Sequence, residues 1–205
     1  ATYQNYKAGG WFGFSQTKGY ADLSIYRMNG STEIVSVRDE DGMYVNRNTG
    51  ATTHSGIEWN IKYTPVRSLF IRSSGTYAAH IFKAYTDGDK VYSDNQMNNA
   101  PRWITNTEVT WKPFMLKGLR IGAEWQHIGK YYMDAANTAM YNGYDLFNAR
   151  VGYAFKGFEC WLNCMNIGDR LYATTAEKSA YGKTYRVGPR QTFNFGVAYS
   201  FTGKK

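Results

Sequence analysis

Several things are scarce in this chain of 205 residues. It has four Pro and two Cys. No run of about 18 apolar residues occurs, and mean hydropathy is negative, which excludes helical membrane spans. No GxSxG, HExxH or phosphate-loop pattern is present. His80 and Asp87 are near in sequence but have no third partner for acid–base work. No enzyme activity and no cofactor are expected. The chain opens on ATYQNYKAGG, with no basic segment followed by an apolar one, so no secretory signal is visible. It runs straight into strand-like sequence, as a piece cut from within a domain would.

The two cysteines, Cys160 and Cys164, are four apart on one face of a single expected strand, roughly 13 Å at the usual rise. That exceeds what a disulfide spans, so they cannot pair with each other and read as small apolar wall residues. His54, His80 and His127 fall on three separate strands without converging partners, and no metal site is expected. Lys and Arg exceed Asp and Glu, giving a formal charge of +8, but they are spread along the chain. Blocks of basic residues, the mark of a nucleic-acid tail, do not occur. A basic cavity that favours anions fits this distribution.

What is abundant is aromatic. Tyr, Trp and Phe make up 17% of the residues, and Gly numbers 21. A Tyr-rich soluble β-protein satisfies this composition slightly better than any alternative. A membrane barrel satisfies it too, because only alternate residues of such a barrel face lipid and aromatic girdles mark its rims. The end of the chain carries the clearest pattern. In QTFNFGVAYSF, Phe193, Phe195, Val197, Tyr199 and Phe201 alternate with Thr192, Asn194, Gly196, Ala198 and Ser200. Side chains on a strand alternate between faces, so one wall is apolar and the other small and polar.

The pattern recurs. About nine strands are predicted, at Tyr6–Ser15, Tyr20–Val37, Met43–Tyr63, Ser68–Tyr85, Trp103–Lys112, Gly118–Tyr132, Tyr144–Phe155, Phe158–Leu171 and Gln191–Phe201. Their connections sort by length. Short turns fall at 16–19, 64–67, 113–117 and 156–157, and the other rim takes 38–42, 86–102, 133–141 and 172–188. Short turns on one rim and long loops on the other mark an outer-membrane barrel, and a soluble sandwich has no reason to sort them. In that reading Phe193, Phe195, Val197, Tyr199, Leu162, Trp59 and Ile121 contact lipid, and Thr192, Asn194, Asn163, Glu58 and Arg120 face inward.

Three stretches carry a resemblance. They are Asn46–Glu58 (NRNTGATTHSGIE), Asn166–Ala173 (NIGDRLYA) and Val187–Arg190 (VGPR) leading into the last strand. In this order and spacing they resemble the C-terminal barrel region of TonB-dependent outer-membrane receptors, nearest to ferric-siderophore receptors. The chain departs from that pattern in carrying Thr202–Lys205 after the terminal aromatic Phe201. The resemblance implies an all-β, antiparallel transmembrane barrel portion: about nine strands of about 22, with residues 1–205 forming the C-terminal part. The plug domain and the N-terminal barrel strands would lie outside this chain. It further implies import of a ferric siderophore or similar scarce solute, driven by the TonB complex through the plug. A small stand-alone porin or adhesin barrel is the alternative.

A nine-stranded sheet leaves two edges unpaired, which lipid does not tolerate. The edges at Tyr6–Ser15 and Gln191–Phe201 are therefore expected to meet other strands. The candidate ligand-binding set is Arg72, Arg120, Lys130 and Arg150 on the inward face, with Tyr85, Tyr92, Tyr132 and Tyr181 in the loops. Glu124 shares the inward face, and its charge could as well pair with these cations. Trp103 and Tyr131 suit either a ligand cup or an interface girdle.

Overall fold

A computed structural model describes residues 2–14, 17–31, 34–38, 43–48, 50–87 and 90–201. These residues form strands, turns and bends and no helix. In chain order the strands are β1 (Thr2–Phe14), β2 (Thr17–Ser31), β3 (Ile34–Arg38), β4 (Tyr44–Asn48), β5 (Ala51–Val66) and β6 (Leu69–Ala84). Then follow β7 (Thr86–Asp87), β8 (Lys90–Val91), β9 (Trp103–Trp111), β10 (Leu119–Ile128), β11 (Tyr131–Tyr132) and β12 (Met140–Tyr141). The last five are β13 (Tyr144–Phe155), β14 (Phe158–Met165), β15 (Ala173–Ser179), β16 (Gly182–Val187) and β17 (Thr192–Tyr199).

Nine of these build one antiparallel sheet in the order β1-β2-β5-β6-β9-β10-β13-β14-β17. Every neighbour in it is also next in the chain once the loop ribbons are set aside. The other eight pair locally as β3-β4, β7-β8, β11-β12 and β15-β16, four small ribbons that all stand on one rim. On the opposite rim the connections are tight. Between β13 and β14, Lys156 and Gly157 both have positive φ (46° and 87°), the requirement of a two-residue turn that matches strand twist.

Four strand expectations are revised, two of them by shortening: Gly118–Tyr132 gives β10, which ends at Ile128 with β11 apart from it, and Phe158–Leu171 ends as β14 at Met165. The strand expected over Tyr20–Val37 is two elements, because β2 ends at Ser31 and β3 turns away to pair with β4. Met43–Tyr63 divides likewise into β4 and β5. Alternation continues through β3 and β4, so sequence alone gives no signal where the sheet stops. Ser15, residues 39–42 of the expected turn, and Thr202–Lys205 lie outside the described residues.

Register fixes the two faces. One row of partners runs Trp111, Ile121, Val151, Leu162 and Phe195 across five strands. This apolar face stays open to its surroundings, with Phe195 83% and Val197 69% exposed. Its residues include those expected against lipid. Cys160 and Cys164 are free thiols on it. The next row along runs Thr110, Gly122, Arg150, Asn163 and Asn194 on the polar face. β17 pairs only with β14, and β1 only with β2, among the described residues, so the sheet is open and not a closed barrel.

Candidate functional site

The polar face is a wired wall. Its hub is Glu124, 8% exposed, on β10. One carboxylate oxygen accepts from Asn106 Nδ2 (2.5 Å) and Gln126 Nε2 (3.1 Å). The other accepts from Asn148 Nδ2 (3.1 Å) and an Arg150 guanidinium nitrogen (2.6 Å). Glu108 is the register partner of Glu124, and Arg150 also reaches it at 3.6 Å. Two adjacent carboxylates repel, and the guanidinium between them offsets that repulsion. Arg120 is ion-paired to Glu159 nearer the short-turn rim. At the β1 side Lys7 meets Asp22 at 3.0 Å. There a hollow of about 400 Å³ opens half-way down the wall, lined by Lys7, Tyr20, Asp22, Glu58, Asn60 and Thr76 among others.

Above the wall, three long connections pack into one body. Tyr131, Met133, Ala139, Ala173 and Ala176 form a small buried core with Tyr141 against it. The tyrosine hydroxyls accept backbone N–H groups from the neighbouring connection: Tyr131 from Ala176 (3.0 Å) and Tyr141 from Ala173 (2.8 Å). The connection after β6 joins through paired bonds, with Gln96 N donating to Asn137 Oδ1 (2.9 Å) and Asn137 Nδ2 to Gln96 O (2.8 Å). Asn99 N donates to Tyr132 O at 2.9 Å. These paired, half-buried amides of Gln96 and Asn137 tie the loops to one another. Tyr131 is thus a loop-core residue and not part of a girdle. Trp103 lies on the apolar face beside His127 (ring centroids 4.5 Å apart).

The base of the last connection is a clasp. Asn166 Nδ2 donates to Arg170 O (2.9 Å) and to Pro189 O (3.2 Å), and Asn166 Oδ1 accepts from Arg170 N (2.9 Å). Asp169 holds Arg190, with Arg190 Nε donating at 2.6 Å, and also accepts from Gln191 N at 2.9 Å. Arg190 and the Gln191 amide hold the Asp169 carboxyl well below the usual carboxylate range. Gly188 lets the Tyr172 ring pack against the backbone, since a Cβ there would lie 2.2 Å from that ring. Asn166 N also donates to Asn148 Oδ1 (2.7 Å), tying the clasp to the Glu124 hub.

The described residues thus form an open antiparallel sheet with ribbons on one rim, tight turns on the other, one apolar face and one charged face. Residues 4–173 match the family described as TonB dependent receptor-like, beta-barrel. The chain belongs to the TonB-dependent receptor family. Members of this family are bacterial outer-membrane β-barrel proteins and transport receptors. Among solved structures the chain is similar to the siderophore receptor PiuA from Acinetobacter baumannii, at 21% identity and TM-score 0.74, covering 96% of this chain and 28% of that one. It is similar to the ferric yersiniabactin uptake receptor FyuA from Yersinia pestis, at 15% and 0.75, covering 98% and 30%. The ferric preacinetobactin receptor BauA from Acinetobacter baumannii follows at 16% and 0.67, covering 97% and 29%. The chain spans less than a third of the length of each, and at these identities the likeness is one of fold.

Within this receptor segment the eight candidate residues separate into three groups. Arg150 and Arg120 are on the polar wall and engaged by carboxylates, whereas Arg72 is exposed there, the register partner of Glu108. Tyr85 is 1% exposed and packs between Phe82 (4.7 Å) and Tyr92 (5.5 Å), so its ring supports the loop. Lys130, Tyr132, Tyr92 and Tyr181 lie in the rim connections; Lys130 and Tyr181 are exposed, Tyr92 and Tyr132 half-buried. Sequence reading missed the clasp and the hub's asparagines. Two of its quoted motifs, NIGDRLYA and VGPR, are the two halves of the clasp. Residues so chosen, 18 or more apart, carry no sequence mark of their pairing.

Proposed function

We propose that this chain is the C-terminal part of an outer-membrane receptor that captures a ferric siderophore or a similar scarce solute and imports it with TonB. The observation that carries this reading is the packed rim: two connections sharing a buried core, and a third hydrogen-bonded to them, above the polar wall. A packed rim of loops over a charged wall suits capture followed by passage. Lys130, Tyr92, Tyr132 and Tyr181 are the capture residues, and Tyr85 holds Tyr92 in place. Arg72, Arg120 and Arg150 mark the way inward for an anionic chelate. Arg120 and Arg150 are neutralised by Glu159 and Glu124, so their pull on an anion is weaker than that of Arg72.

The remaining strands of a barrel of about 22 and a plug domain complete the receptor and meet the edges at β1 and β17. Its apolar face meets outer-membrane lipid. The test is removal of residues 86–102 and 172–188 together in the full receptor. Binding of ferric siderophores to cells is then measured, and uptake with TonB present and absent. Loss of binding and uptake is the expected result. Unchanged TonB-dependent uptake would refute the capture role of this rim.

A further inference from the structure

Two histidines that sequence places on separate strands meet on the polar face. His54 on β5 and His80 on β6 are direct register partners. Their Nδ1 atoms lie 2.7 Å apart, and their ring centroids 5.0 Å. The register that joins them depends on one irregularity. Val66 pairs with Leu69 at the turn, but beyond a bulge Tyr63 pairs with Ile71. Without that shift His54 would stand opposite Ile81, which belongs to the other face.

The polar atoms around the pair are arranged as a ligand site requires. A 2.7 Å contact between two ring nitrogens means that one carries a proton and the other a lone pair. His54 Nε2 lies 3.1 Å from Thr52 Oγ1, a hydroxyl that can accept its proton, and Thr52 is buried. With the His54 proton on Nε2, the Nδ1 lone pair of His54 faces His80. A metal bound by two imidazoles holds their nitrogens roughly 3 Å apart, with each bond about 2.0–2.1 Å. The observed separation is within a few tenths of an ångström of this. Register places Met28 on the other side of His54, and imidazole nitrogen is a ligand suited to divalent copper, nickel and zinc.

We propose that His54 and His80 form a binding site for one imidazole-preferring transition-metal cation, tightest for Cu²⁺ and weaker for Ni²⁺ and Zn²⁺. Both Nδ1 atoms ligate, and water completes the coordination on this wet wall. For both to ligate, His80 moves its proton from Nδ1 to Nε2. Two neutral imidazoles therefore bind the cation with no net proton release. The cation ties β5 to β6 beneath the connection after β6, whose Met97 N donates to His80 O at 2.9 Å.

The test uses the full receptor in detergent at pH 8, with any affinity tag removed, titrated with CuCl₂ alone. The electron paramagnetic resonance spectrum of the occupied site should show coupling to two nitrogens. His54→Gln and His80→Gln should each weaken this binding at least about tenfold. His127→Gln, on the other face, should leave it unchanged. Cu²⁺ should also shield both His54 and His80 of the unaltered receptor from diethylpyrocarbonate, read by peptide mass spectrometry. That measurement decides the matter even where a variant fails to fold. Unchanged affinity in both folded variants, or no shielding of either histidine, would overturn the proposal.

Discussion

Glu124 concentrates the polar wall into one carboxylate. Four side chains donate to it, and one of them, Arg150, would otherwise hold its charge beside no carboxylate closer than Glu108. Hydrogen bonds to a charged group are worth about 1.5–3 kcal/mol, and solvent around Arg150 reduces its share. Glu124→Ala is therefore expected to lower stability by about 2–3 kcal/mol, read from the denaturant midpoint of the refolded barrel. Asp169 gives a pH signature at the same scale. Its folded-state pKa is depressed by Arg190 and the Gln191 amide. Such a group stabilises the clasp above its unfolded value, about 3.9, and loses that contribution as pH falls through the lower folded value. Hydrogen exchange of the Gly188, Arg190 and Gln191 amides should thus accelerate below about pH 4 in the parent, relative to a distant strand. In Asp169→Asn the acceleration should be present already at neutral pH and vary little with acid.

Among the elements, β17 is the simplest to test because its faces are so unequal. Val197 is open on the apolar face, and Asn194 lies on the polar one. Val197→Arg should cost roughly 2–4 kcal/mol if the site lies at mid-membrane, and Asn194→Arg should cost much less. Unfolding from lipid vesicles measures both, and equal costs would refute the assignment of faces. β15 and β16 make a second case. Their ribbon contributes Ala173 and Ala176 to the loop core. Removing residues 173–187 should expose Met133 and Ala139 and render the connection between β10 and β13 sensitive to limited proteolysis, while the sheet stays intact. The elements also show what sequence could and could not convey. The alternation of Phe193 to Tyr199, and the Lys156-Gly157 turn, were legible because period and turn chemistry are local. The division of Tyr20–Val37 was not, because a ribbon strand alternates like a sheet strand. The meeting of His54 and His80 was hidden because one bulged residue near Tyr63 decides which side chains oppose one another.

At the scale of the molecule, the open sheet and the packed rim have opposite requirements. Backbone groups on the outer side of β1 and β17 have no ladder partner among the described residues, whereas the connections around the Tyr131–Ala176 core pair with one another. That pairing has a kinetic consequence. A capture surface whose amides and core are already paired has little chain entropy left to lose when a solute arrives. Association then needs no loop ordering beforehand and should run at about 10⁵–10⁷ M⁻¹s⁻¹, with a single phase in stopped-flow fluorescence. Differences in affinity among related solutes should appear in how slowly each one leaves. Cutting one strut of the rim, such as Asn137→Ala, should bring in a slow, concentration-independent phase, because the surface would have to rebuild itself before the solute could stay.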